Sequence, residues 1–388
     1  MSSYPPSGPP PTTTLRQRLA DLRGPAVPPR PLDARALAAL AANPGCGRRA
    51  LLDGAGVDKT ALAAALGSPA AFGQSQFAII RGNSFEARVK GDGGAELLRL
   101  VHEHLGAGSE PPGPGAQVPD LTAAGPEGRA ARTALALREA TAAAAATGTW
   151  TLLDHPMLAL EVAGSPAYLE PDAVVVHPDG RWTVVEIKSF PMIDGAADAA
   201  KVGAAARQAA VYVLALEKTA GKLASAVVGH TALLVCPKDF SNLPAAAPVD
   251  IRRERAVTRR QLERLTRVEE LAAALPEGLS FDPERTAEEL GEAVAAVSAA
   301  YAPECLAACE LAFHCRERAR AAGEVTALGR SVRGELGALT TVGEALAAAA
   351  GSGSGSDGPD GPDDPTAASL HHAARLRAEA LEAAACPC

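Results

Sequence analysis

The stretch LEPDAVVVHPDGRWTVVEIKS, Leu169 to Ser189, holds two β-branched runs separated by Pro178-Asp179-Gly180. Proline presets the backbone for a turn and glycine takes the left-handed position that closes it, so the segment reads as a β-hairpin with a three-residue loop. In that register His177 pairs with Arg181, and counting back sets Asp172 opposite Glu186. Strand side chains alternate between faces, which puts Asp172, Glu186 and Lys188 together at one end of the hairpin. The other face is apolar too (Ala173, Val175, Val185, Ile187), as in a central strand, where idle carboxylates are rare. A two-residue loop would move Asp172 to the opposite face, so the reading depends on the turn.

Two carboxylates at cross-strand distance repel unless a cation lies between them, and oxygen ligands select Mg²⁺ or Mn²⁺. Lys188 can steady a water or a phosphate beside such a metal. Downstream, Gln208 and Tyr212 are spaced four apart on a helix, on one face.

Outward from the hairpin, β-branched runs and a further strand, Thr231–Cys236, alternate with an alanine-rich helix between residues 150 and 240. This is an α/β arrangement. Residues 1–30 are rich in Pro, Ser, Thr and Gly and are expected to be disordered. Residues 31–106 read as helical, with a turn at Asn43-Pro44-Gly45 presenting Cys46 and a helix start at Gly82-Asn83-Ser84 ahead of Glu86. A loop is expected over 107–128, the core over 129–240, a helical part with clustered cysteines over 241–325, and a helix, flexible linker and tail over 326–388.

With 388 residues, 47% of them hydrophobic, the chain is long enough for a sizeable core. The net charge of −8 argues against a protein that coats nucleic acid but leaves room for a local basic groove. The sequence contains no long apolar run and no signal peptide, so a cytoplasmic location and no membrane partner are expected. In that reducing setting the seven cysteines read as metal ligands before disulfides. Cys305, Cys309 and Cys315 fall close together, and Cys46 lies far upstream beside arginines. Two cysteines one helical turn apart are ordinary small core residues, but three clustered thiols with a fourth on a turn favour tetrahedral ligation. Zinc, with His314 as a substitute ligand, is the alternative.

Asp172, thirteen residues, then Glu186-Ile187-Lys188 resembles the D…(D/E)XK signature of the PD-(D/E)XK, restriction-endonuclease-like superfamily. Gln208-Ala-Ala-Val-Tyr212 is similar to the QxxxY motif of its RecB-like branch, and Gly82-Asn-Ser-Phe85-Glu86 to the upstream helical motif, where many members carry a histidine near the position of Phe85. The cysteines resemble the one-plus-three clamp of the iron–sulfur nucleases, seen in AddB-type helicase-nucleases and in the fourth CRISPR-associated protein family. Here the first gap of the triplet is three residues, one longer than is usual there.

The resemblance implies a mixed sheet flanked by helices with a helical cysteine-bearing subdomain. It implies Mg²⁺ or Mn²⁺ held by Asp172, Glu186, Glu86 and the Ile187 carbonyl, with Lys188, Gln208 and Tyr212 completing the catalytic set. It further implies a [4Fe–4S] cluster on Cys46, Cys305, Cys309 and Cys315, and DNA as substrate. No GxxxxGK[ST] phosphate loop is present, so ATP-driven unwinding would need a partner; a helicase or CRISPR or other defence-system proteins are the partners the resemblance implies. The competing reading is an inactive nuclease fold that binds DNA or protein.

Overall fold

The computed structural model of the chain describes residues 11–385 apart from 44, 70–75, 107, 163–164, 224–225, 240, 265–267 and 352–363. The linker and the terminal Cys386 and Cys388 therefore lie outside the described residues. The chain forms two compact units, one of Met1–Pro44, Arg49–Asp58 and Phe72–Asp282, the other of Gly45–Arg48, Lys59–Ala71 and Pro283–Cys388.

The first unit is mixed α/β. Its helices are α1 (Pro11–Arg23), α2 (Ala34–Ala42), α3 (Gly47–Ala55, its first two residues in the second unit), α5 (Gln76–Val89), α6 (Gly91–Leu105), α7 (Gly125–Thr147), α8 (Ala199–Ala220), α9 (Arg252–Arg264) and α10 (Val268–Ala273). Its strands are β1 (Thr151–Asp154), β2 (Leu158–Val162), β3 (Ser165–Leu169), β4 (Ala173–Val176), β5 (Arg181–Ile187), β6 (Val227–Val228), β7 (Thr231–Pro237) and β8 (Pro244–Asp250). The main sheet runs β1-β4-β5-β7-β8 with β6 beside β5; β2 and β3 form a separate antiparallel pair. Among the named strands of the described residues, β5 pairs in parallel with β7 and β6 and the other pairings are antiparallel, so the sheet is mixed but mostly antiparallel. The crossover between the parallel neighbours β5 and β7 contains α8.

Alternation divides the sheet's residues between two apolar layers. Ala173, Val175, Val185, Ile187, Leu233 and Val235 pack against Phe85, Val89, Leu97 and Val101 of α5 and α6. Gly94 lets α6 approach this closely, since its φ is 77° and a Cβ there would stand 2.1 Å from Leu152 Cδ2. On the opposite face Trp182, fully buried, donates its indole N–H to Thr141 Oγ1 of α7 at 3.0 Å. Each large side chain buried in these layers contributes about 1.5–3 kcal/mol.

The hairpin has the expected register. Ala173 pairs with Val185 and Val176 with Trp182, His177 N–H donates to Arg181 O, and Gly180, at φ 80°, donates to His177 O.

Other expectations are corrected. Residues 11–23 are helical rather than disordered, because Leu22 is buried and the Arg18 guanidinium binds the carbonyls of Ala272, Leu275 and Pro276. The first ten residues lie outside the described set. Gly82-Asn83-Ser84 is not a helix start but mid-helix in α5. The expected loop ends at α7, which begins at Gly125. The core does not end at residue 240, since β8 adds an edge strand where its prolines, Pro244 and Pro248, are tolerated.

The second unit holds α4 (Lys59–Ala65), α11 (Ala287–Ala295), a 3₁₀ turn at Pro303–Ala307, α12 (Ala312–Ala321), α13 (Arg330–Glu335), α14 (Val342–Ala349) and α15 (Pro365–Ala385). Among the described residues no helix is long and apolar enough to cross a membrane.

Candidate active site

Asp172 lies just before β4 and Glu186 near the end of β5, and the hairpin register brings them opposite one another. Asp172 Oδ2 accepts the Ile187 N–H at 2.6 Å, which fixes the carboxylate against the backbone between Glu186 and Lys188. Lys188 Nζ stands 2.6 Å from Glu186 Oε2 and 3.9 Å from Asp172 Oδ2. The Ile187 side chain points the other way, into the α5–α6 layer.

Glu186 is 1% exposed. Its contact with Lys188 is a close ion contact not aligned as a hydrogen bond, and neither of its oxygens has a hydrogen-bond partner among the described residues. Burial drives its pKa up to about 7, with the Asp172 charge adding to the shift and the Lys188 ammonium opposing it. For Lys188 the order reverses: burial favours the neutral amine, but the Glu186 and Asp172 carboxylates outweigh it and raise the pKa.

Tyr212 is buried on α8, accepts from Gln208 Nε2 at 2.9 Å and donates to the Glu170 carbonyl at 3.1 Å. Burial and then the Glu186 charge hold the phenol protonated well above its usual range. The two motif residues thus anchor α8 to the chain just before Asp172, and they hydrogen-bond to each other.

Glu86, on α5, is near enough to Glu186 for its charge to add to that group's raised pKa, and it is itself ion-paired. Its Oε1 is 2.5 Å from Lys90 Nζ and 3.0 Å from His155 Nε2. The His155 hydrogen bond is the main reason its pKa falls to about 2, and the same bond raises that of His155. Lys90 also reaches Asp154 Oδ1 at 2.7 Å and the Asp172 carbonyl at 2.7 Å. Lys90, Asp154 and His155 were not singled out from the sequence. They come from the junction of α5 with α6 and from the end of β1, elements that only the tertiary fold brings to the Asp172 backbone. The one local signal is Asp154-His155-Pro156, a polar strand end where His155 takes φ 44°.

Two carboxylates converge here. Among the described residues no group of three or more His, Cys, Asp or Glu side chains forms a ready-made metal site. Two suffice for Mg²⁺, which keeps several waters and commonly takes one or two carboxylates together with substrate phosphates. A buried carboxylate with no hydrogen bond is the environment a divalent cation satisfies.

In the second unit, Arg48 ties the segment after Cys46 to the cysteine-bearing helices. Its N–H donates to Ser298 O at 2.8 Å, and its guanidinium binds Val297 O at 3.0 Å and Cys315 Sγ at 3.1 Å. Burial raises the Cys315 pKa, Arg48 opposes this, and the thiols of Cys46 and Cys305 lie close enough to add to the rise. Cys305 is in the 3₁₀ turn, where its carbonyl accepts the Cys309 N–H at 2.8 Å. The four are not disulfide-bonded. His314 Nε2 is buried with no hydrogen-bond partner among the described residues, and burial lowers its pKa. In the first unit, Cys236 is a core residue at the end of β7, its thiol pushed up to about 12 by burial.

No protein family, no curated protein and no solved structure matches this chain.

Proposed function

We propose that the chain is a Mg²⁺- or Mn²⁺-dependent deoxyribonuclease of the RecB-like PD-(D/E)XK type, acting on single-stranded or end-containing DNA. One observation carries the reading: a fully buried Glu186 carboxylate faces Asp172 across a hairpin, with the Lys188 ammonium 2.6 Å from Glu186 Oε2 and 3.9 Å from Asp172 Oδ2.

Asp172 and Glu186 would hold the cation, Asp172 being oriented by the Ile187 N–H. When bound, the cation supplies Lewis-acid stabilisation of the phosphodiester charge and activates water for in-line attack. Lys188, kept protonated by the two carboxylates, places a positive charge where negative charge grows on the phosphoryl oxygens. Gln208 and Tyr212 fix α8 beside the site, and Lys90 with His155 keep Glu86 ionised next to it.

The test is degradation of single- and double-stranded DNA with Mg²⁺ or Mn²⁺ by wild type, Glu186→Ala and Lys188→Ala. Loss of cleavage in both folded variants supports the proposal. Wild-type protein that binds DNA but leaves it intact with either metal overturns it in favour of a binding module.

A structural centre in the second unit, a [4Fe–4S] cluster or zinc on Cys46, Cys305, Cys309 and Cys315, is supported by the Arg48 contacts that hold the Cys46 segment beside Cys315. Metal analysis and the visible spectrum of anaerobically purified protein distinguish iron, zinc and neither. The cluster would have no step in hydrolysis. A cytoplasmic enzyme with a helicase or defence-system partner fits this reading.

A further inference from the structure

On α8, Lys201, Ala205, Gln208 and Tyr212 follow one another at intervals of four, three and four residues, which places them in one stripe of the helix. Its inner end is the buried Tyr212 beside Glu186. At its outer end Lys201, exposed in the first turn, holds its ammonium over the Phe190 ring, 5.7 Å from the centroid, on a flexible stem that can swing aside for a base. Phe190 follows Lys188 by two residues, is half-buried, and packs on Met192, Ala205, Leu234 and Cys236. Cys236 is also within electrostatic reach of Lys188, so ring, ammonium and thiol share the α8 face of the sheet. From Gln208 out to Lys201 the stripe runs about 10 Å.

The hydrolytic centre makes no use of Phe190 or Lys201. Their chemistry is that of a nucleotide seat: an aromatic ring on which a base stacks, beside a cation that takes the neighbouring phosphate. We propose that Phe190 and Lys201 hold the nucleotide next to the scissile phosphodiester, and so restrict the substrate to DNA whose bases are unpaired there. A paired base is stacked between its neighbours and presents no free face to the ring; a single strand or a frayed end does. Every base has such a face, so the seat is tolerant of sequence. The location of the scissile bond rests on the hydrolytic reading; the seat itself does not require cleavage.

Fluorescence anisotropy in EDTA, with a labelled thymidine single strand and a blunt duplex of equal length, tests the seat without cleavage. Phe190→Ala is expected to weaken single-strand binding roughly tenfold and duplex binding far less, with recovery in Phe190→Trp. Lys201→Ala, at an exposed position where the fold is unaffected, is expected to weaken single-strand binding and lower its salt slope by about one. Equal losses on both substrates, or wild-type affinity in both variants, overturn the proposal even if the protein cleaves DNA. Phe190-dependent single-strand binding in a protein that cleaves nothing upholds the seat and removes the nuclease reading.

Discussion

Asp172 is hydrogen-bonded through Oδ2 to the backbone N–H of Ile187, at 2.6 Å, from the strand facing it. The acid therefore has two roles: it holds the end of the hairpin closed and it supplies charge beside Glu186. Asp172→Asn keeps an acceptor oxygen and removes the charge, so cleavage is expected to disappear with little change in melting temperature. Asp172→Ala removes both and is expected to cost about 1–2 kcal/mol of stability as well. Chemical denaturation alongside a cleavage assay separates the two roles.

Glu186 sets a pH dependence whose sign is opposite to that of an exposed carboxylate. Its folded pKa of about 7 exceeds the ordinary 4.5, so between those values the folded protein binds the extra proton and stability falls as pH rises. Glu186→Gln abolishes that fall, and above neutrality the metal-free variant is expected to be more stable than wild type by about 3 kcal/mol. On the proposed reading, binding of Mg²⁺ would displace the same proton. Titration calorimetry at several pH values should show affinity rising with pH through 7, with proton release in the lower range.

Lys188→Ala leaves the facing carboxylates without their cation. Cleavage is expected to drop by about 10²-fold or more, while the rise in melting temperature on adding Mg²⁺ becomes larger than in wild type. A variant that loses both cleavage and the metal-induced shift would contradict this division of labour.

Lys90 is the hub between Glu86, Asp154 and the Asp172 carbonyl. Lys90→Met strands these groups and is expected to cost about 3 kcal/mol. His155→Gln acts through pH. The raised pKa of His155 means that its contribution is complete below 6.5 and is lost as pH rises through the folded value. The Glu86 contribution is complete above 4.5 and is lost as pH falls toward about 2. Wild type should therefore lose its advantage over His155→Gln on the alkaline side, as thermal melts across pH will show.

The half of the site carried by the hairpin was legible in the sequence because it is local. Pro178-Asp179-Gly180 sets the loop length, strand alternation sets the faces, and both hold in the structure. The half around Lys90, Asp154 and His155 has no such spacing; it exists only after α5 and β1 converge on Asp172. β8, with the composition PAAAPVD, has a single β-branched residue, Val249, beside two prolines and forms by pairing along β7. The helix at 11–23 was hidden by a composition poor in apolar residues, and it is held by side-chain contacts to a segment some 250 residues later, Arg18 to Leu275 being 257 apart. Mixed α/β architecture was readable; the membership of Gly45–Arg48 in the second unit was not.

That membership has a consequence for biosynthesis. The bond from Arg48 to Cys315 spans 267 residues. At ribosomal speed, Arg48 and the neighbouring Cys46 wait on the order of ten to fifty seconds for their partner to be made. Throughout that interval the Cys46 thiol lacks the Cys315 segment that lies near it in the folded protein and is open to oxidants and stray metal ions. Slowing translation downstream of codon 46 should lower the yield of correctly assembled protein more than slowing it after codon 315.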